Sequence, residues 1–360
     1  MWKRLLVSVT LVAVGWTALD VWRLAALPTF HEKSDPQLGG IVEGVATRDA
    51  LFLRHYSGNL TRIDRATGER SNPAQDVIDI LIDGPHIWAL TPTTEGAWQV
   101  LDLRNTNNAS RVIPVEGTLR GLFKTSTGLA VLTSTTAMLP SATGWTAVTL
   151  DEIIRERAEV LSPSDQSLYV GYDDGEFGGG LRQIDLTNGQ VTNIDDSQPD
   201  QLCSGLINSS CDPVVGLVEA PDGSDCILTA IALSHLGMHY GRVVSACGQS
   251  LAFVYARDLW TPIVTVGRLL GGEGDTWAFN DLVAAPNGWV ATGSNLYARA
   301  SYSDNNTNPK VKTSSYPRLK SLGGLKVSRE IDGIIFAEDF CCVSYGPITE
   351  RIMVALPVLQ

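Results

Sequence analysis

Long hydrophobic runs are scarce in this 360-residue chain, and the one at its start is short. Residues 5–19, LLVSVTLVAVGWTAL, follow Lys3 and Arg4 and are closed off by Asp20 and Arg23. A membrane span needs about 20 apolar residues, so residues 1–28 read as a secretory signal or as a signal anchor left in place. No A-x-A site precedes Asp20, which keeps the uncleaved anchor open. No cysteine occurs before Cys203, which excludes the lipoprotein route. Basic residues are also in deficit, with 27 Lys and Arg against 39 Asp and Glu and a net charge of −12. A phosphate backbone needs a basic footprint, so a nucleic-acid partner is excluded. An acidic surface suits a soluble exported protein instead.

The usual marks of a reaction are missing too. There is no G-x-S-x-G elbow, no P-loop, no H-E-x-x-H and no C-x-x-C-H, which removes support for hydrolase, nucleotide and cytochrome readings. Helical periodicity is almost absent. Only Leu150–Val160, with apolar residues at 150, 153, 154 and 158, predicts an amphipathic turn or two, in a connection between repeats.

What is present is a β-meander. Residues 168–194 hold an apolar strand, an acidic glycine-dense loop, a second strand, the Thr187-Asn188-Gly189 turn and a third strand. TRIDRATGE at 61–69 matches RQIDLTNGQ at 182–190 position for position, and WQVLDLRN at 98–105 is a looser echo. The Asp that ends each strand can accept hydrogen bonds from the turn, and the Gly supplies the positive φ it needs. A second phrase, a Pro, Asp or Gly turn leading an apolar strand, occurs six times: DGPHIWAL, TSTGLAVL, SPSDQSLYV, APDGSDCILTAI, APNGWVATG and EIDGIIFA. Unit starts fall near Gly40, Val77, Thr118, Arg157, Pro213, Phe279 and Leu322, a spacing close to the ~40–50 residues of a propeller blade. The expectation is all-β: a polar tether over 29–39, then a single seven-bladed β-propeller over 40–360 whose first strand pairs into the C-terminal blade.

These two phrases resemble the repeats of bacterial β-propellers of the YVTN and quinoprotein-like kind. The resemblance implies a scaffold, not an activity. In quinoprotein dehydrogenases adjacent cysteines form a ring disulfide beside the cofactor, which gives the Cys341-Cys342 pair a possible role. This chain has about seven units where those enzymes have eight, and it lacks the Trp that follows their T-G turn.

Six cysteines suit an oxidising compartment, periplasmic or secreted, with the inner membrane as an anchoring point for residues 1–28. Cys226 and Cys247 bracket two strand-like runs; pairing Ile227 with Ala246 and Ile231 with Arg242 sets them opposite each other. Cys203 and Cys211 flank a loop that they would staple, leaving Cys341 and Cys342 as a vicinal disulfide or as free thiols. Candidate binding residues are Asp173, Asp174 and Glu176, three carboxylates on a glycine-rich backbone. They could ligate calcium, form a solvated connection, or lie where glycines admit a ligand or a neighbouring strand. No other cofactor is expected. His235 and His239 have the spacing of a zinc pair but sit in a predicted hairpin loop, where a partner contact is the better expectation. Gly271–Trp277 is a second glycine-rich connection.

The reading that follows is a non-catalytic exported propeller that binds a protein or a glycan at one end of its channel. The alternative is a propeller enzyme of quinoprotein or polysaccharide-lyase type with its site at the channel mouth. That alternative requires titratable side chains from different blades to converge there with perturbed ionisation.

Overall fold

Each copy of the turn-and-strand phrase carries a short unbroken apolar run, the pattern of a strand covered on both faces. The computed structural model describes residues 29–32, 41–47, 49–55, 57–93, 95, 97–104, 110–114, 117–155, 158–198, 203–235, 238–257, 276–285, 287–293, 296–303, 306–315, 325–328, 333–338 and 351–357. A short strand, β1 (Thr29–Glu32), comes first. Six antiparallel sheets then follow, each a meander of four consecutive strands. The first holds β2 (Ile41–Ala46), β3 (Ala50–His55), β4 (Leu60–Asp64) and β5 (Arg70–Ala74). The second holds β6 (Asp79–Asp83), β7 (His86–Pro92), β8 (Trp98–Asp102) and β9 (Ser110–Ile113). In the third are β10 (Leu119–Thr125), β11 (Gly128–Thr133), β12 (Thr136–Ser141) and β13 (Gly144–Thr149). The fourth contains β14 (Ala158–Ser164), β15 (Ser167–Asp173), β16 (Gly179–Asp185) and β17 (Val191–Ile194). Next come β18 (Val214–Glu219), β19 (Ile227–His235), β20 (Met238–Cys247) and β21 (Ser250–Tyr255). The sixth is β22 (Asp281–Ala285), β23 (Gly288–Thr292), β24 (Leu296–Ser303) and β25 (Asn306–Ser315).

The first strands contact one another in sequence: β2 with β6, β6 with β10, β10 with β14, β14 with β18, and β18 with β22. Near the end of the chain, β26 (Leu325–Ser328), β27 (Gly333–Glu338) and β28 (Arg351–Pro357) join β1 in a sheet of order β1-β28-β27-β26. β26 touches both β22 and β2, so the circuit of first strands returns to its beginning. A closed circuit removes the exposed edges that an open stack of sheets would leave.

Packing follows the circuit. Val45, Phe52, Ile80 and Ile87 fill the space between the first two sheets, and Leu90, Val100, Leu122 and Val131 the next. Leu132, Leu168 and Val170 come third, with Tyr169, Leu217 and Ile231 fourth. Between the fifth and sixth sheets, Trp289 lies among Val218, Leu228, Trp277 and Phe279. Apolar second strands are thus buried on both faces, as their sequence demands.

Three expectations need correcting. The stretch read as a polar tether contains β1, whose Thr29–Glu32 pair with Val354–Arg351. The strand after Gly40 heads its own sheet by pairing with β3. Four residues of mixed polarity carry no strand signal of their own; their structure comes from the distant partner. Nor is Leu150–Val160 helical: among its described residues, 151–155 are irregular and β14 begins at Ala158. Leu150 and Ile154 still serve as the connection's apolar pair, buried between the third and fourth sheets. The apolar spacing reflected two anchor points, not a helix face.

Candidate functional site

Among the described residues, the six-fold phrase and the I-D-x-x-T-G phrase occupy one end of the sheets. The first phrase forms the turn between first and second strands, as at 83–86, 125–128 and 164–167. The second forms the turn between third and fourth strands. There Asp64 accepts hydrogen bonds from Ala66 and Thr67, and Asp185 from Thr187 and Asn188. Gly68 and Gly189 take the positive φ, +72° and +80°. These hydrogen bonds hold the Asp64 and Asp185 carboxyls below their usual range. At the echo, Asp102 accepts from Arg104 N–H but also meets His86 Nδ1 at 2.7 Å.

The opposite end, where first strands begin, gathers the sheet-to-sheet connections and the turns between second and third strands. Its centre is ionic. Arg54 Nε donates to Glu43 Oε2 at 2.8 Å, pairing β3 with β2. Asp79 opens β6; it accepts from Ile80 N–H and from Leu122 N–H on β10, which ties the second sheet to the third. A Cβ on Gly121 would sit 3.0 Å from Asp79 Oδ2, so glycine lets this staple close. Burial and the Glu43 charge lift the Asp79 carboxyl well above its usual range, against Arg54 and the two amide donors. Burial alone would lower the Arg54 guanidinium, but the charges of Glu43, Asp79 and Glu159 raise it. Glu159 belongs to β14, with two sheets between it and Arg54, so its charge acts across the space that the first strands enclose. Asp79 keeps some accessible surface while burial dominates its ionisation, as expected of a group lining a narrow enclosed space.

Beside this mouth lies the acidic, glycine-rich loop between β15 and β16. Its Gly175–Phe177 segment is a single 3-10 turn. Asp173 Oδ1 accepts from Gly175 N–H, and Asp174 pairs with Arg155 at 2.8 Å. Arg155 also donates to the Gly179 carbonyl, with its guanidinium 4.5 Å from the Tyr172 ring centre. The glycines admit a neighbouring segment. Gly179 N–H bonds Ser209 O and Gly180 N–H bonds Asp212 O, while a Cβ on Gly178 would lie 2.5 Å from the Ser210 carbonyl carbon. That segment is the connection between β17 and β18, closed by the Cys203–Cys211 disulfide. Asp195 grips it by accepting from Ser209 N–H and Oγ. Burial pushes the Asp195 carboxyl up, but hydrogen bonds from Ser197 and Ser209 win and hold it at about 2. Buried Asp212 accepts from Asn208 N–H and pairs with Arg242, while Tyr240 Oη donates to the Cys211 carbonyl. Burial and the Asp212 charge push the Tyr240 hydroxyl up.

The fifth sheet carries the histidines. β19 and β20 pair Ile227 with Ala246 and Ile231 with Arg242, and Cys226–Cys247 is bridged with a Cα separation of 4.4 Å, as the sequence predicts. The hairpin loop is shorter than expected, because the strands continue to His235 and Met238. His235 faces Met238 in register and Ser234 faces His239, so the two histidines are not cross-strand partners. β19 packs beside the Gly175–Phe177 turn, which puts this hairpin and the acidic loop at the same end. Among the described residues, no three His, Cys, Asp or Glu side chains are grouped to hold a metal. Cys341 and Cys342 lie outside the described residues, as do Gly271–Asp275; Trp277 is buried against Phe279. The sequence reading missed Glu43, Arg54, Asp79 and Glu159, Asp195, and the Asp212–Arg242 pair. Nothing in their local sequence marks them, since each acts through a partner in another strand or sheet.

No family model matches the chain, and no curated protein matches it. Solved structures do. YCF48 bound to D1 peptide aligns over 91% of this chain and 97% of its own, with a TM-score of 0.52 and 11% identity. U3-55K aligns over 91% of this chain and 98% of its own, with a TM-score of 0.54 and 9% identity. Both are β-propellers, and at such identities the likeness establishes the fold alone.

Proposed function

We propose that this chain is an exported, periplasmic or secreted, seven-bladed propeller that binds a protein partner at the end where its first strands begin. The observation that carries this reading is the construction of that end. Two loops of adjacent sheets are locked together by Gly178–Gly180, Ser209–Ser210, Asp195 and the Cys203–Cys211 bridge. Pre-ordering of a loop surface lowers the entropic cost of association. YCF48, of the same fold, has a peptide bound in its solved structure. Two disulfides among the described residues support an oxidising compartment. The blade count rests on the β26–β2 contact and on β1 completing the last sheet. Deleting residues 1–32 would leave β28 with a bare edge, and loss of a cooperative monomer is expected; unchanged unfolding argues against closure by β1.

The functional test is photo-cross-linking in intact cells from positions at both ends of the propeller. Protein adducts from Arg120 or Ser209, without adducts from Gly68 or Thr187, are expected. Adducts carrying only carbohydrate point to a glycan partner, and equal yields from both ends overturn the assignment.

A second reading, an enzyme at the channel mouth, draws on the raised Asp79 carboxyl, the state a general acid needs. Against it, both backbone donors near Asp79 already engage it. Asp79→Asn would abolish turnover on that reading, and on ours would change stability without changing partner affinity.

A further inference from the structure

The two disulfides among the described residues differ in what their backbones would do once opened. Cys226 and Cys247 lie one rung beyond Ile227 and Ala246, a fully buried cross-strand pair. The Cys226 carbonyl accepts from Ala220 N–H, and Cys247 pairs with Ser250 on β21. Reducing that bridge leaves both cysteines where the paired strands already hold them. Cys203 and Cys211 belong to no strand. Cys211 is fixed, with its N–H on Asn208 O and its carbonyl accepting from Tyr240 Oη. Cys203 is exposed and takes a φ of +56°. The other non-glycine residues described with positive φ are Asp76 and Asn287, whose short polar side chains suit the left-handed region; a cysteine has no such compensation. Gly205, two residues on, is left-handed too. The bridge thus ties a strained, solvent-facing residue to a fixed one, and opening it lets Cys203 return to an ordinary conformation.

The contacts of the ring show what that return would loosen. The Ser204 carbonyl accepts from Asn208 Nδ2, and Asn208 Oδ1 accepts from Ser210 N–H. Ser209 and Ser210 are the residues seated against Gly178–Gly180. A path of hydrogen bonds therefore runs from the residue after Cys203 to the contact between the two mouth loops. We infer that Cys203–Cys211 is a site of thiol–disulfide exchange with a dithiol reductant, and that opening it loosens Ser209–Ser210 from Gly178–Gly180 while the propeller stays folded. This goes beyond partner binding and holds whether or not the mouth has a partner. A thiolate of the reductant attacks Cys203 Sγ, forming a mixed disulfide and expelling the Cys211 thiolate. The reductant's second thiolate then attacks its own sulfur in the mixed disulfide and expels the Cys203 thiolate. Two electrons pass, the reductant leaves as a disulfide, and each expelled thiolate takes up a proton that the reductant's thiols have lost. Exposed or strained bridges are the ones open to this exchange, and Cys203 supplies both conditions.

The test equilibrates the folded full-length protein with dithiothreitol at graded ratios of its reduced to its oxidised form and traps free thiols with a maleimide. Peptide masses then report each cysteine separately, Cys341 and Cys342 included. Cys203 and Cys211 should become labelled together at a ratio about tenfold or more below that needed for Cys226 and Cys247. At that ratio, hydrogen exchange at the Gly179 and Gly180 amides should quicken by about tenfold or more, with β7 and β23 unchanged. Re-oxidation should restore the slow rate, and a protein carrying Cys203→Ser with Cys211→Ser should exchange fast at every ratio. Opening of Cys226–Cys247 at the same ratio or a lower one would overturn the inference. So would labelling of Cys203 and Cys211 only where β7 and β23 also exchange, or a reduced protein whose Gly179 and Gly180 amides keep the slow rate.

Discussion

The two ends of the propeller are both tied between sheets, but in different ways. At the end that carries the repeated turns, Asp64 and Asp185 bond amides two or three residues away, and single bonds such as Ser126 N–H to Asp165, 39 residues on, join neighbouring turns. At the other end, Arg155 reaches 19 residues to Asp174, Tyr240 reaches 29 to Cys211, and Arg242 reaches 36 to Leu206. Two glycines illustrate the difference. A Cβ on Gly68, at φ +72°, would meet nothing within 4 Å, while one on Gly179, at φ +151°, would meet the Tyr172 carbonyl oxygen at 2.0 Å. Gly68 serves its own backbone conformation; Gly179 serves both its own and the approach of another strand. At the first end each turn is closed within itself and joined to its neighbour by isolated bonds, whereas at the second the loops of the fourth and fifth sheets are interlocked by several bonds and a disulfide.

The sharpest challenge to that contrast is a pair of glycine substitutions. Gly179→Ala should cost about 4 kcal/mol, since strand backbone must shift to admit the methyl, whereas Gly68→Ala should cost about 1–2 kcal/mol from φ alone. Chemical denaturation measures both, and equal costs would erase the distinction.

The disulfides come next, because they divide between the ends. In the chain-entropy model, opening Cys226–Cys247, which spans 21 residues, costs about 3.3 kcal/mol, and opening Cys203–Cys211, which spans 8, about 2.5 kcal/mol. Serine at both positions of a pair should lower the melting temperature in that order. Only the Cys203–Cys211 variant should also lose cross-linking from the mouth end. If the Cys226–Cys247 variant loses it equally, the two ends are coupled.

A pH titration sharpens the comparison within one loop. Hydrogen bonds hold the Asp195 carboxyl at about 2 in the folded protein, below its ordinary value of 3.8. Its carboxylate therefore contributes stability above about pH 4, and that contribution fades as pH falls towards 2. Solvent screening reduces it to about 1 kcal/mol. Asp195→Asn should flatten this part of the acid limb of melting temperature against pH; an unchanged limb would show that Asp195 does not hold Ser209.

The smallest expected effect is on stability at the exposed aromatics. Phe177→Ala and Phe253→Ala should each change unfolding free energy by less than about 0.5 kcal/mol. A larger loss for Phe177→Ala would mean that its ring packs within the fold despite its exposure.

Much of the scaffold was legible before any coordinates. Unit starts read at Val77, Thr118, Arg157 and Pro213 lie within two residues of β6, β10, β14 and β18, because apolar period and turn chemistry act over a few neighbours. The Cys226–Cys247 bridge was legible for the same reason, following from one hairpin's register. His235 and His239 were read into the loop of this hairpin, a loop read too long, since nothing local marks where pairing stops.

By itself, then, the sequence determined the strands, their turns, the two bridged cysteine pairs and the acidic balance of the surface. Each of these depends on φ preference, side-chain period or formal charge, quantities that residues carry with them. Tertiary structure alone decided that β1 would complete the sheet of β26–β28, that Asp79 would staple β6 to β10, and that Gly178–Gly180 would receive Ser209–Ser210. Those outcomes depend on closing a circuit of sheets, which brings together groups separated by 30 to more than 300 residues, and no local pattern encodes which distant group will arrive.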